Sequence, residues 1–180
     1  MCVVVSRYNA PITDKLLDGA KRVYAARGGD PADLKVASVP GSFELPMLAL
    51  AAAETEEFAG VVALGCLIKG ETSHDRYIAE AVAHGLMQAS MSAAIPIAFG
   101  VLTVDTPEQA EARAGGAHGN KGEEAMHAVL DTLASIQELV GGSVDFAEAA
   151  KEVVLQATRR LELGGRRNES KSRRGRGEKG

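Results

Sequence analysis

The sequence has no tryptophan, and aromatic residues make up only 4% of its 180 positions. A nucleic-acid module is therefore not expected in its body, because such surfaces interleave stacking rings with cations. Only two cysteines occur, Cys2 and Cys66. They make no disulfide framework, and a reducing compartment, the cytoplasm, is the expected address. No apolar run approaches the roughly 18 residues of a membrane span. The opening MCVVVSRYN is too short in apolar residues for a secretory signal, and its first basic residue follows the apolar run instead of preceding it. Also missing are a Walker loop, a dinucleotide fingerprint, a nucleophile elbow and any recognisable metal-ligand spacing. Chemistry here is expected to run on acid–base groups and orientation, without a metal.

Apolar residues are plentiful, at 46% of the chain. That suits one domain with a sizeable core. The charge is uneven: residues 1–164 hold 13 Lys/Arg against 22 Asp/Glu, whereas residues 165–180 hold 7 against 2. An acidic body carries a basic tail.

Apolar and helical patterns alternate along the body. Cys2 to Ser6 reads as a strand. Ile12, Leu16, Ala20 and Val23 recur at helical spacing, with Thr13 a candidate cap. The run GGDP at 28–31 stops that helix. Leu34 to Val39 is a second strand, and Phe43 to Thr55 a second helix. GVVALGCL, 60–67, is a near-continuous apolar run, as expected of a strand buried on both faces. Ser73 is a candidate cap for a third helix marked by Ile78, Val82, Leu86 and Ala89. A fourth strand spans Ile97 to Thr103. Thr106-Pro107-Glu108-Gln109 reads as a capping box for a short helix ending at Gly115. A flexible link, 115–119, leads to a helix from Asn120 to Val140. This alternation predicts an α/β fold with a parallel sheet.

In such sheets ligands collect beyond the carboxyl ends of the strands. Each junction there has two readings. Tyr8 either stacks on a planar ring or packs on its helix. Ser42 either caps a helix or faces a ligand, and Glu44 either touches a ligand or complements the helix dipole. In LIKGETSH, 67–74, Gly70, Glu71 and Thr72 precede a helix whose free N–H groups suit an anion. His74 is then either a proton carrier or a surface residue. Arg113 suits a phosphate, yet a cation in the last turn of a helix is favoured anyway.

Five segments in order, VVVSRYNAPITDKLLDGA, VPGSFELP, ALGCLIKGETSHDRYIA, PIAFGVLTVDTPEQAEARAG and GNKGEEA, resemble the lumazine synthase (6,7-dimethyl-8-ribityllumazine synthase) family across residues 3–135. The resemblance implies a flavodoxin-like three-layer sandwich with a four-stranded parallel sheet. It implies condensation of 5-amino-6-(D-ribitylamino)uracil with 3,4-dihydroxy-2-butanone 4-phosphate, releasing phosphate and water. That is the penultimate step of riboflavin biosynthesis, and it uses no cofactor. The resemblance further implies a homopentamer, or larger assemblies of pentamers, with active sites between subunits, and association with riboflavin synthase. By position, Tyr8 matches the ring-stacking aromatic. Ser42, Phe43 and Glu44 match the ribityl and pyrimidine segment, and Cys66, Leu67 and Ile68 the backbone that reads the pyrimidine edge. Glu71 and Thr72 match the phosphate site, and His74 the proton-transfer residue. Phe99, Arg113 and Lys121 match residues lent to a neighbour's site, Arg113 binding phosphate. Two rivals are a domain that holds flavin without turnover and a protein whose assembly is its function.

The sequence also departs from the family pattern. The family has residues ahead of the first strand that form an extra strand at a subunit edge. Lys69 stands where Arg is common. The expected organisation is a catalytic domain over 1–140, an additional helix over 141–163 and a disordered basic tail over 164–180.

Overall fold

The computed structural model describes residues 1–140. The helix expected over 141–163 and the disordered tail expected over 164–180 lie outside the described residues. Four strands form a parallel sheet: β1 (Cys2–Ser6), β2 (Lys35–Val39), β3 (Val61–Ile68) and β4 (Ile97–Val104). Their order is β2-β1-β3-β4. The helices are α1 (Ala10–Ala26), α2 (Leu45–Glu54), α3 (His74–Ala93), α4 (Pro107–Arg113) and α5 (Lys121–Leu139). The result is the α/β sandwich expected of this alternation.

The period of two in each strand divides the core between the two faces. Val3, Val5, Val62, Leu64 and Cys66 meet Leu16, Ala20, Met126 and Val129 of α1 and α5. Cys2, Val4, Val61, Ala63 and Leu67 meet Leu45, Ala49, Val82 and Leu86 of α2 and α3. β3 is buried along nearly its whole length, as its unbroken apolar run predicts.

Several local expectations are corrected. Thr13 is not the cap of α1. It lies a turn inside, buried, and its hydroxyl donates to the Ser6 carbonyl at 2.9 Å. Asn9 holds the cap position instead, with φ of 61° and no capping bond from its side chain. Residues Ser42–Glu44 form a 3₁₀ turn ahead of α2, and the Ser42 hydroxyl caps nothing. Ser73 occupies the N-cap position of α3 but makes no side-chain capping bond.

The Thr106 box does form: its hydroxyl accepts from Gln109 N at 3.3 Å. The reciprocal Gln109 side-chain Oε1 accepts from Asp105 N at 2.9 Å, one residue earlier than the usual pattern. The helix stops at Arg113, not Gly115. The expected flexible link is an antiparallel pair, β5 (Ala114–Gly116) and β6 (Gly119–Asn120). Gly115 at φ 113° and Gly119 at φ 73° make that tight reversal, conformations costly to residues bearing a Cβ.

Candidate active site

The sheet's strands end at different heights. β1 pairs with β3 only as far as Val5 opposite Leu64, whereas β4 follows β3 to its last residue, Ile68. From Gly65 on, the edge of β3 facing β1 has no strand partner. Asn9 reaches into that gap, and its amide Nδ2 donates to the Cys66 carbonyl at 2.9 Å. Residues two apart on a strand present their peptide groups to the same side, so Ile68 faces the gap as well. Leu67, between them, turns its peptide groups toward β4.

A cleft of about 680 Å³ opens at this place. Of the expected site residues, Tyr8, Ser42, Phe43, Glu44, Cys66, Leu67, Ile68, Thr72 and His74 line it. Segments from β1, β2, β3 and α3 thus meet at one carboxyl end of the sheet. Tyr8 is 70% exposed and Phe43 61%, so two aromatic rings stand open at the cleft instead of packing on their helices. Glu44 closes the turn before α2, its Oε2 accepting from Gly41 N at 2.9 Å. Cys66 offers the cleft its backbone, while its side chain joins the core beneath α1 and α5. Burial pushes that thiol up to about 11, so it is no nucleophile near neutral pH.

Five residues lining the cleft were not among the expected site residues: Asn9, Gly41, Asp75, Tyr77 and Ile78. Asn9 carried one usable signal, a small polar residue just past a strand, where left-handed backbone is tolerated. Its bond to a carbonyl 57 residues away was not readable.

Glu71, Phe99, Arg113 and Lys121 do not line the cleft. Glu71 is exposed beside it on the loop before α3. Phe99 pairs in register with Ala63 on the outer strand and is 42% exposed. Arg113 ends α4, and its guanidinium donates to the Gln109 carbonyl at 3.1 Å. Lys121 begins α5 and pairs with Glu124. The β5–β6 hairpin pairs Ala114 with Asn120, so Arg113 and Lys121 flank the same rung. The structure thus makes two groups: a cleft with a histidine, two aromatic rings and free backbone, and a pair of cations elsewhere. No Lys or Arg lines the cleft, while Glu44 and Asp75 do.

Among the described residues no helix is long and apolar enough to cross a membrane. A family model for 6,7-dimethyl-8-ribityllumazine synthase matches residues 1–137. Similar proteins bear the same name. One from Thermus thermophilus is 48% identical over 139 residues, 77% of this chain and 88% of the relative. One from Xanthomonas campestris pv. campestris is 44% identical over 138 residues, 77% and 89% of the two chains. One from Stenotrophomonas maltophilia is 43% identical over 137 residues, 76% and 88%.

Proposed function

The chain belongs to the 6,7-dimethyl-8-ribityllumazine synthase family, and from that premise we propose how its two groups of residues divide the reaction. As a member it is a transferase of riboflavin biosynthesis, acting on small molecules within an oligomer. It condenses 5-amino-6-(D-ribitylamino)uracil with 3,4-dihydroxy-2-butanone 4-phosphate. The assignment of roles to residues, and the placing of each site between two subunits, are our own reading.

The observation that carries this reading is the cleft's composition. It holds the expected proton carrier and ring-binding groups but no cation, and two carboxylates line it. A phosphate dianion placed there needs positive charge from outside the subunit. Arg113 and Lys121, side by side on their hairpin, are cations that an adjacent subunit would deliver, together with Phe99. The oligomer is a pentamer or an assembly of pentamers.

The uracil ring stacks on Tyr8 and meets the free backbone of Cys66 and Ile68. Its ribityl chain lies along Ser42, Phe43 and Glu44. The butanone phosphate rests on the backbone N–H groups of Glu71 and Thr72 and on the N-terminus of α3, a ready anion site. The neighbour's Arg113 completes the phosphate's charge balance. The uracil's amine then attacks the ketone, and loss of water from the carbinolamine gives an imine. Loss of a proton alongside the phosphate leaving group gives the unsaturated intermediate. That intermediate is an enol; it takes a proton at its terminal carbon to become a ketone, and attack of the ribitylamino nitrogen on the new carbonyl closes the ring with loss of the second water. His74 carries protons in the imine and elimination steps. Holding both substrates in register can itself contribute about 7–11 kcal/mol toward the barrier.

The compartment we assign is the cytoplasm, in keeping with two buried free cysteines. Association with riboflavin synthase rests on family membership alone and is open to co-sedimentation.

The test is turnover with both substrates, followed by lumazine absorbance and phosphate release. His74→Ala is expected to lower kcat by about 10²–10⁴, and Arg113→Ala to raise the KM of the butanone phosphate most. Mixing the two impaired variants under reassembly conditions should restore part of the turnover at sub-saturating butanone phosphate, since some sites then pair an intact cleft with an intact arginine. If mixing restores nothing, the shared-site assignment is wrong.

A further inference from the structure

Asparagine is among the best helix N-caps, because its side-chain oxygen accepts from the free N–H groups of the first turn. Asn9 stands at the N-cap position of α1 and makes no such bond. Its backbone carbonyl does start the helix, accepting from Ile12 N at 2.9 Å and Thr13 N at 3.1 Å. Its amide crosses to β3 instead and holds the Cys66 carbonyl. The backbone there, at φ 61° and ψ 40°, is one that asparagine tolerates better than most residues. The Ser6 carbonyl, one residue past the last β1–β3 pair, is taken by the Thr13 hydroxyl. Asn9 therefore takes over where strand pairing stops. Its two predecessors are tied the other way: Arg7 N donates to the Val39 carbonyl at 2.9 Å and Tyr8 N to the Pro40 carbonyl at 3.0 Å. Residues 7–9 thus bridge the end of β2 and the end of β3.

We propose that Asn9 is a positioning residue for the ribitylaminouracil: its bond to Cys66 fixes the separation between the Tyr8 ring and the open edge of β3, where the pyrimidine fits. The inference rests on the substrate pair and ring site assigned above. A ring that stacks on one residue and reads backbone with its edge needs both surfaces at a set distance, and a misplacement of about 1 Å is costly. Asn9 follows Tyr8 directly in the chain, so one side-chain bond sets that distance. The Cys66 oxygen keeps a second lone pair, so the bond does not withdraw it from the cleft. The phosphate loop is anchored separately, since Lys69 N donates to the Val104 carbonyl of β4 at 2.9 Å. Loss of the Asn9 bond therefore reaches the ring-binding side and not the phosphate side. A purely structural role is also available to Asn9, that of satisfying a carbonyl at a strand end. That role predicts fewer folded sites, with lower kcat and unchanged affinity in those that remain.

The experiment uses Asn9→Gly, which keeps the left-handed backbone without strain, and Asn9→Asp, which keeps the size but replaces the donor with an acceptor. Both are followed by steady-state kinetics with each substrate varied in turn, by calorimetric titration of ribitylaminouracil alone, and by amide hydrogen exchange. Each variant should weaken ribitylaminouracil, in KM and in Kd, by about threefold to tenfold, the effect of one neutral hydrogen bond. The butanone phosphate KM and kcat should stay within about twofold. Exchange should rise across residues 66–68 and not across 61–64, which β1 still pairs. Should Asn9→Asp fail to assemble, Asn9→Gly decides alone. Unchanged affinity for ribitylaminouracil, or an equal loss for both substrates, overturns the proposal. Wild-type protein that neither binds nor turns over ribitylaminouracil would overturn the assigned substrate instead, and exchange would still read whether Asn9 holds β3.

Discussion

On one side of the sheet, a Cβ at Gly122 of α5 would sit 1.9 Å from the Leu16 carbonyl oxygen of α1. On the other, Met47, Met87 and Met91 of α2 and α3 stand 73%, 63% and 66% exposed. The α1–α5 face is closed within one chain, with backbone against backbone and a buried asparagine tying the helices. The α2–α3 face leaves large apolar side chains open to solvent, and Phe43 and Tyr77 at the cleft are open as well. Exposed apolar side chains in such number suit a contact with another molecule, and in an oligomeric family a second copy is the natural occupant. One face therefore stabilises the subunit, and the other, with the cation-free cleft, is where our proposed function seats a second copy.

The largest effect expected from testing this contrast is on the closed face. Gly122→Ala has no room, because the clashing atom is backbone and cannot rotate away. We expect a loss of about 3 kcal/mol or more in chemical denaturation, above the usual cost of an added methyl group. If Gly122→Ala were as stable as the parent, the tight seam between α1 and α5 would be wrong.

Next comes Asn120. Its Oδ1 accepts from Gly122 N at 2.8 Å and Glu123 N at 3.2 Å, and its Nδ2 donates to the Lys15 carbonyl at 2.9 Å. One residue caps α5 and ties it to α1. Asn120→Ala should cost about 2 kcal/mol, combining a lost cap with a lost buried bond. Asn120→Asp keeps the cap and loses the tie, so its melting temperature should fall between those of the parent and Asn120→Ala. Equal melting for Asp and Ala would mean that the tie, not the cap, carries the stability.

The same contrast explains what could be read from sequence. Elements built on periodicity were legible: the run GVVALGCL became β3, and Thr106 with Gln109 became a real cap. His74 was legible as a helix-start residue, and it lines the cleft. The β5–β6 hairpin was not, because strands this short carry no alternating pattern and only Gly115 and Gly119 mark the reversal. Without the hairpin, nothing explains why Arg113 and Lys121 emerge together. Asn9 escaped for a different reason. Its significance lies in what surrounds its amide in three dimensions, not in spacing. That Phe99, Arg113 and Lys121 stand away from the cleft was not legible from spacing within the chain.

A smaller effect concerns Cys66, whose backbone serves the open cleft while its thiol sits in the closed face. Burial raises this thiol from its ordinary value of 9.0 to about 11. Between those values the unfolded chain ionises and the folded chain does not, so the unfolded state binds fewer protons. Stability should therefore fall as pH rises through this window, by roughly 3 kcal/mol in all. Cys2 and Tyr24 are also shifted upward by burial and act in the same direction. The measurement is accordingly the difference between the parent and Cys66→Ala across pH 8 to 11. A difference that does not change with pH would mean the thiol ionises freely in the fold.

The smallest effect on the subunit's own stability is expected on the open face, and it is the most informative about function. Met87 and Met91 lie one turn apart on α3 and are already largely in water. Replacing both by lysine creates no cavity and buries no charge within the subunit, so its stability should change by no more than about 0.5 kcal/mol. If this face meets a second copy, the same lysines would be forced into a desolvated contact, where an unpaired charge costs several kcal/mol. Native mass should then fall to that of the single chain. Turnover should fall with it, because the cleft would lose access to a neighbour's Arg113, while circular dichroism stays unchanged. A variant that remains assembled and fully active would place the subunit contact elsewhere and leave the exposed methionines without a role in it.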